Sequence, residues 1–215
     1  MPLRSLMIIS LAAASTVLAA PAAAPPFRGP VLAMDRVLAP ATETLQVSVP
    51  MLTPSGALPI LHTGYGKNLS PLLAWTPGPR GTKAYVVIIE DADSHTPQPA
   101  LHWLAYNIPA NMTAIGKGQH NRSELTGEHG FLQGKNSAGG IGYVGPNPPV
   151  GESAHHYHIQ VFALGRPLPL PGGAGLDQVL SAMNDRVVAE GELVVTFEAP
   201  RPDTPKVAGP KASKP

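Results

Sequence analysis

The stretch Gly142-Tyr-Val-Gly-Pro-Asn-Pro-Pro-Val-Gly151 leads, after three more residues, into His155-His-Tyr157. It joins a stiff turn to an imidazole and a phenol. Its prolines fix φ and remove amide donors, and its glycines allow backbone shapes that other residues resist, so the loop holds one form. The residues that follow alternate as a strand does. His155, Tyr157, Ile159, Val161 and Ala163 therefore share one face, and His156 and His158 fall on the other.

Upstream, the near-continuous apolar run Ala84-Tyr-Val-Val-Ile-Ile89 ends in Glu90-Asp-Ala-Asp93. The run predicts a buried strand, and strand ends are where ligand-binding groups emerge. His102-Trp103 opens another strand-like run to Ile108. With Asn68-Leu-Ser-Pro-Leu-Leu-Ala-Trp75, Gly81-Thr-Lys83 and Asn107-Ile-Pro109 added, in this order and at these spacings, the chain resembles the phosphatidylethanolamine-binding protein family in its bacterial, Raf-kinase-inhibitor-like branch. The resemblance spans Leu45 to Phe197. Each motif alone is weak, and the set is specific.

The resemblance implies a central sheet with a smaller accessory sheet, and it carries an anion pocket onto Asp91, Asp93, His102, His155 and Tyr157, walled by Gly145, Pro146, Asn147 and Pro148. In such a pocket imidazoles and a phenol donate to phosphate oxygens, and neighbouring carboxylates fix the tautomer or keep a ring protonated. Each residue also has a plainer role: a histidine satisfied in the core, an aspartate shaping a turn, a tyrosine filling volume. The chain departs from the family pattern at Asp91-Ala-Asp-Ser-His95, where two turn prolines are missing, and at Ala100, where an aromatic is common. His62, His95, His120 and His129 lack a matched partner in the sequence. Asn68, Asn111 and Asn121 open glycosylation-type triplets short enough to arise by chance.

Independently of the resemblance, segments Leu45–Val49, Ala84–Ile89, Leu101–Ile108, His155–Leu164 and Leu193–Phe197 have strand lengths and Pro/Gly punctuation. Leu176 to Val188 alone has helical spacing, with Leu176, Val179, Leu180, Met183 and Val187 on one face. The segments themselves thus predict a mostly antiparallel β domain with one or few helices, and the resemblance implies its division into a central antiparallel sheet and a smaller accessory sheet.

The 215 residues, 43% hydrophobic and 13% charged with net charge +1, can bury one full core. They offer no clustered basic surface for nucleic acid. The absence of cysteine excludes disulfides and thiolate chemistry. Arg4 followed by Leu6 to Ala20 reads as a signal peptide over 1–19, cleaved after Val17-Leu18-Ala19 and leaving no membrane span. An Ala/Pro-rich linker over 20–40, a domain over 41–199 and a Pro/Lys tail over 200–215 complete the expected organisation.

The functional expectation is a periplasmic or secreted protein that binds a small phosphate-bearing anion or phospholipid headgroup, with no cofactor, no metal and no catalytic residue. Two alternatives come from other classes: a metal-assisted hydrolase built on the same carboxylates and histidines, and a protein-interaction module modulating a protease or kinase. No Gly-x-Ser-x-Gly, His-Glu-x-x-His or Walker signature supports the hydrolase.

Overall fold

The computed structural model describes residues 30–37, 41, 43–124 and 130–201. The stretch 1–19 read as a signal peptide and residues 202–215 of the stretch read as a tail lie outside these. The strands are β1 (Glu43–Thr44), β2 (Val47–Ser48), β3 (Leu73–Trp75), β4 (Ala84–Asp91), β5 (Ala100–Pro109), β6 (Ala114–Ile115), β7 (Leu132–Gln133), β8 (His155–Leu164) and β9 (Val187–Phe197). Among the described residues two α-helices, α1 (Ala33–Arg36) and α2 (Leu176–Met183), and one 3-10 turn at Ile60–His62 accompany them. One sheet has the order β1-β9-β8-β4-β5-β7 and the other β2-β3-β6. The named strands all pair antiparallel except β1 with β9.

The apolar run of β4 follows from its place at the centre of the large sheet, where all eight residues are buried. Tyr85, Val87 and Ile89 face a cluster with Trp103, Ile159 and Val161 that also takes in Leu73, Trp75 and Ile115 of the small sheet. Val86 and Ile88 face the other way, into a cluster with Leu104, Phe162, Val179, Leu180, Met183 and Ala33. Helix α2 thus covers one face of the large sheet and the small sheet the other. With both faces buried, the central strands lose the apolar–polar alternation of a half-solvated sheet.

The second cluster also takes in part of the stretch read as a linker. The Ala33 amide donates to Glu90 Oε2 at 2.8 Å, the Met34 amide to Gln160 Oε1 at 2.6 Å, and Gln160 Nε2 to Glu90 Oε2 at 2.8 Å. Arg36 pairs with Asp177 of α2. The network meets the requirement that buried polar groups find partners, and burial still pushes the Glu90 carboxyl above its ordinary range.

The helix stops earlier than the spacing predicts. It ends at Met183, Asp185 adopts φ 61°, and Val187 begins β9. Val187 packs against the α2-side cluster from a strand, so one apolar position satisfies both a helical and a strand pattern. Of the strand read over Leu45–Val49 only Val47–Ser48 is strand, as β2; β1 lies just before it, and the Leu45 amide donates to the Glu190 carbonyl at 2.7 Å.

That crossing needs glycine at 191, where an added Cβ would lie 2.1 Å from the Leu45 carbonyl oxygen. At Gly165 the nearest atom would be Val188 Cγ1 at 3.5 Å, an ordinary contact. Gly191→Ala is expected to lower stability by about 1–3 kcal/mol, the usual cost of overpacking, and Gly165→Ala by less than about 1 kcal/mol. Urea unfolding of both variants checks this; equal midpoints would refute the close approach.

Candidate functional site

Asp91 is the last residue of β4 and pairs across the sheet with Tyr157 of β8. Its carboxylate does two jobs while almost fully buried. Oδ1 accepts the Asp93 amide at 2.9 Å and shapes the turn; Oδ2 lies 2.9 Å from His155 Nδ1. The turn lacks stiffening prolines and is held by hydroxyls instead. Ser94 Oγ donates to the Asp91 carbonyl at 3.1 Å and accepts the Ala100 amide at 2.9 Å.

His102 owes its orientation to a β-bulge. The β4–β5 register passes from Ile89 opposite Trp103 to Glu90 opposite Leu101, which leaves His102 as an extra residue. Bulges re-aim side chains in this way. The His102 ring meets Tyr157 edge-on, with centroids 5.2 Å apart at 84°. Its Nδ1 donates to the Val144 carbonyl at 2.7 Å, and the Val144 amide donates back to the His102 carbonyl at 2.9 Å. Burial pulls the His102 pKa below the ordinary 6.5, and the Val144 bond and Asp91 charge oppose this without reversing it. At neutral pH the ring is therefore neutral with its proton on Nδ1, and Nε2 presents a lone pair.

The proline loop is fastened to the segment around His62. The Gly145 amide donates to Asn68 Oδ1 at 2.6 Å, Gly64 donates to the Pro146 carbonyl at 2.8 Å, and Tyr65 Oη donates to the Pro148 carbonyl at 2.6 Å. A Cβ at position 145 would stand 2.5 Å from the His62 carbonyl oxygen, so only glycine allows this approach. So anchored, the loop walls a cavity of about 440 Å³. Gly145, Asn147, Pro148 and Pro149 form that wall; Asp91, His102, His155, Ala100 and Leu101 line the rest, with His95, Ser94 and Ser137 at other points of the lining.

His155 carries the charge. Its Nδ1 faces Asp91, and its Nε2 lies 3.0 Å from Glu152 Oε2. Both partners accept, so both ring nitrogens donate and the ring is an imidazolium. Burial alone would depress its pKa, but hydrogen bonds to Asp91 and Glu152, with the charges of Asp91 and Asp93, raise it overall. In turn, the bonds to His155 and then His95 hold the Glu152 carboxyl below its ordinary range. Beneath lies Tyr157, whose hydroxyl is buried next to the Asp91 carboxylate. Burial, and then the charge of Asp91, push the Tyr157 phenol well above its usual range, so it stays a neutral donor.

Of the residues singled out from sequence, Asp91, His102, Gly145, Asn147, Pro148 and His155 meet at the cavity. Tyr157 packs under His102, and Pro146 contributes its carbonyl to Gly64. Asp93 is turned elsewhere: its Oδ2 accepts the His156 amide at 2.7 Å and lies 2.7 Å from His156 Nδ1. Two residues not singled out do reach the site, Glu152 and His95, the latter with Nε2 3.1 Å from Glu152 Oε2. The spacing Glu152-x-x-His155 was the available signal for the first; the second, 57 residues from its partner, had none.

A family model described as phosphatidylethanolamine-binding protein matches residues 48–198. A UPF0098 protein of Pyrococcus horikoshii is 37% identical over 142 residues, 66% of this chain and 70% of the relative. LppC of Mycobacterium tuberculosis, named as a lipoprotein, is 31% identical over 160 residues, 74% of this chain and 75% of the relative. The crystal structure of Escherichia coli YbcL, described as a member of the mammalian PEBP family, superposes with a TM-score of 0.65 at 29% identity, covering 73% of this chain and 99% of that one. A homologue from Chlamydia trachomatis gives 0.65 at 28% identity over 74% of this chain and 100% of that chain.

The raised His155 pKa fixes the sign of a pH effect. Its pairing with Asp91 stabilises the fold in full below the unfolded value of about 6.5 and ceases to do so as pH rises through the higher folded value. Asp91→Asn should therefore lower the urea midpoint most near about pH 6 and progressively less toward about pH 9. An equal loss at both pH values would contradict an imidazolium held by Asp91.

Proposed function

Because the chain belongs to the phosphatidylethanolamine-binding protein family, we propose that it binds a small anionic ligand, a phosphate or a phosphate-bearing headgroup, in the cavity between β4, β5, β8 and the proline loop. The observation that carries this reading is the pair of unlike imidazoles lining one cavity: His155 charged and donating, His102 neutral with a free lone pair at Nε2. A phosphate monoester fits that pair with one oxygen accepting from His155 and one protonated oxygen donating to His102. The cavity volume lies within the range of small-ligand sites. Ala100 and Leu101 in its lining, without an aromatic, leave room for the group esterified to the phosphate.

The pairing also distinguishes charge states. A monoanion brings its own proton to His102 and binds without proton uptake, whereas a dianion requires His102 to be protonated against its burial. Calorimetry with inorganic phosphate in buffers of different ionisation enthalpy reads this directly. His155→Ala should weaken phosphate binding by about 1.5–3 kcal/mol, the scale of a charge-assisted hydrogen bond. Dimethyl phosphate, which does not titrate near neutrality, isolates the protein's contribution: its affinity should fall as pH rises through the raised His155 pKa. If His155→Ala and His102→Ala leave phosphate affinity unchanged, the pocket reading is wrong.

We also propose export with cleavage near Ala20, supported by the charged, apolar and small-residue succession at the start of the chain. The lipoprotein name of LppC is in keeping with it, and no helix among the described residues is long and apolar enough to cross a membrane. N-terminal sequencing of protein made with its own leader should find residues 1–19 removed; intact Met1 would refute export by this route.

A further inference from the structure

The ring nitrogen through which His155 would meet an anion is already engaged. Nδ1 is committed to Asp91, which leaves Nε2 as the ring's other donor, and the Glu152 carboxylate, beside the cavity and bonded to two of its lining histidines, sits on it at 3.0 Å. Glu152 is thus placed where a ligand oxygen would be, and it offers the same chemistry, an anionic oxygen accepting from an imidazolium.

Its surroundings suit an occupant that leaves. Glu152 follows Gly151, which has φ 95°, at the end of the proline loop, and its side chain is one-third exposed. Its carboxylate has no side-chain partner among the described residues except two histidines: buried His155, and His95, which is three-quarters exposed. His95 Nε2 lies 3.2 Å from Oε1 and 3.1 Å from Oε2, so it can keep the carboxylate on the solvent side when His155 is released.

Charge balance requires the exchange. In the closed arrangement one imidazolium is shared by Asp91 and Glu152, while neutral His102 and neutral Tyr157 add no positive charge and Asp93 is turned to His156. A further anion in the cavity would meet two carboxylates and one cation, a repulsive arrangement at these distances. Swapping one carboxylate for one ligand monoanion leaves the balance unchanged.

We infer that Glu152 is a resident competitor for the anion position on His155, and that ligand entry proceeds by its displacement toward His95. The inference rests on the reading that His155 is the anion donor. It makes Glu152 the residue that sets affinity and favours monoanions, because apparent affinity is reduced by the fraction of molecules in which the position is free.

The test is calorimetric titration with inorganic phosphate near neutral pH on the wild type, Glu152→Ala, Glu152→Gln, His155→Ala and the Glu152→Ala/His155→Ala double variant. Removing an occupant present about nine-tenths of the time should tighten phosphate binding about tenfold. The double variant should lose that gain. If His155→Ala weakens binding but neither Glu152 variant tightens it, the competitor is refuted while the pocket stands. If His155→Ala changes nothing in either background, the pocket reading fails and this inference with it. Absence of phosphate binding in every protein overturns the inference too, since vacating the position should have revealed it. Circular dichroism of the Glu152 variants, which alter a partly exposed loop side chain, should match the wild type.

Discussion

A positively charged imidazole is held almost out of water by two carboxylates, one on each ring nitrogen, and the site is organised around that arrangement. Burying a charge is costly unless it is paired and hydrogen-bonded. His155 meets the requirement with Asp91 on Nδ1 and Glu152 on Nε2. The register that puts Asp91 beside Tyr157, two residues along β8 from His155, is therefore as much a part of the site as the side chains are.

Three unrelated local devices converge on this ring. The end of β4 supplies Asp91, whose second oxygen also starts the turn. A bulge in β5 swings His102 toward Tyr157, and Val144 fixes its tautomer. The proline loop, tied down by Asn68, Gly64 and Tyr65, closes the cavity and carries Glu152 at its far end. Where the sequence lacks turn prolines, Ser94 supplies hydrogen bonds from its hydroxyl. The devices are polar and short-ranged, and the two apolar clusters on either face of the large sheet give them a rigid frame.

Much of the fold was legible because strand periodicity and Pro/Gly punctuation act locally. The apolar run of β4 and the alternation of β8 needed no tertiary information to be read as strands. Features set by distant contacts were not legible. Val187 suits a helix face and a strand equally, and the break at Asp185 between them is a left-handed backbone turn that composition does not announce. Asp93 follows Asp91 by two residues, so alternation would aim both one way, but the strand ends at Asp91 and the turn delivers Asp93 to His156. The bulge that gives His102 its direction is invisible in an unbroken apolar run. His95 reaches Glu152 only because the fold brings two loops together.

Whether His155 is charged while His102 is neutral can be read from their ring nitrogens. Ring-nitrogen chemical shifts of ¹⁵N-histidine-labelled protein at neutral pH, assigned with His102→Gln and His155→Gln variants, report each tautomer and charge. The expected result is a doubly protonated His155 beside a neutral His102 with its proton on Nδ1. A neutral His155, or a charged His102, would contradict it.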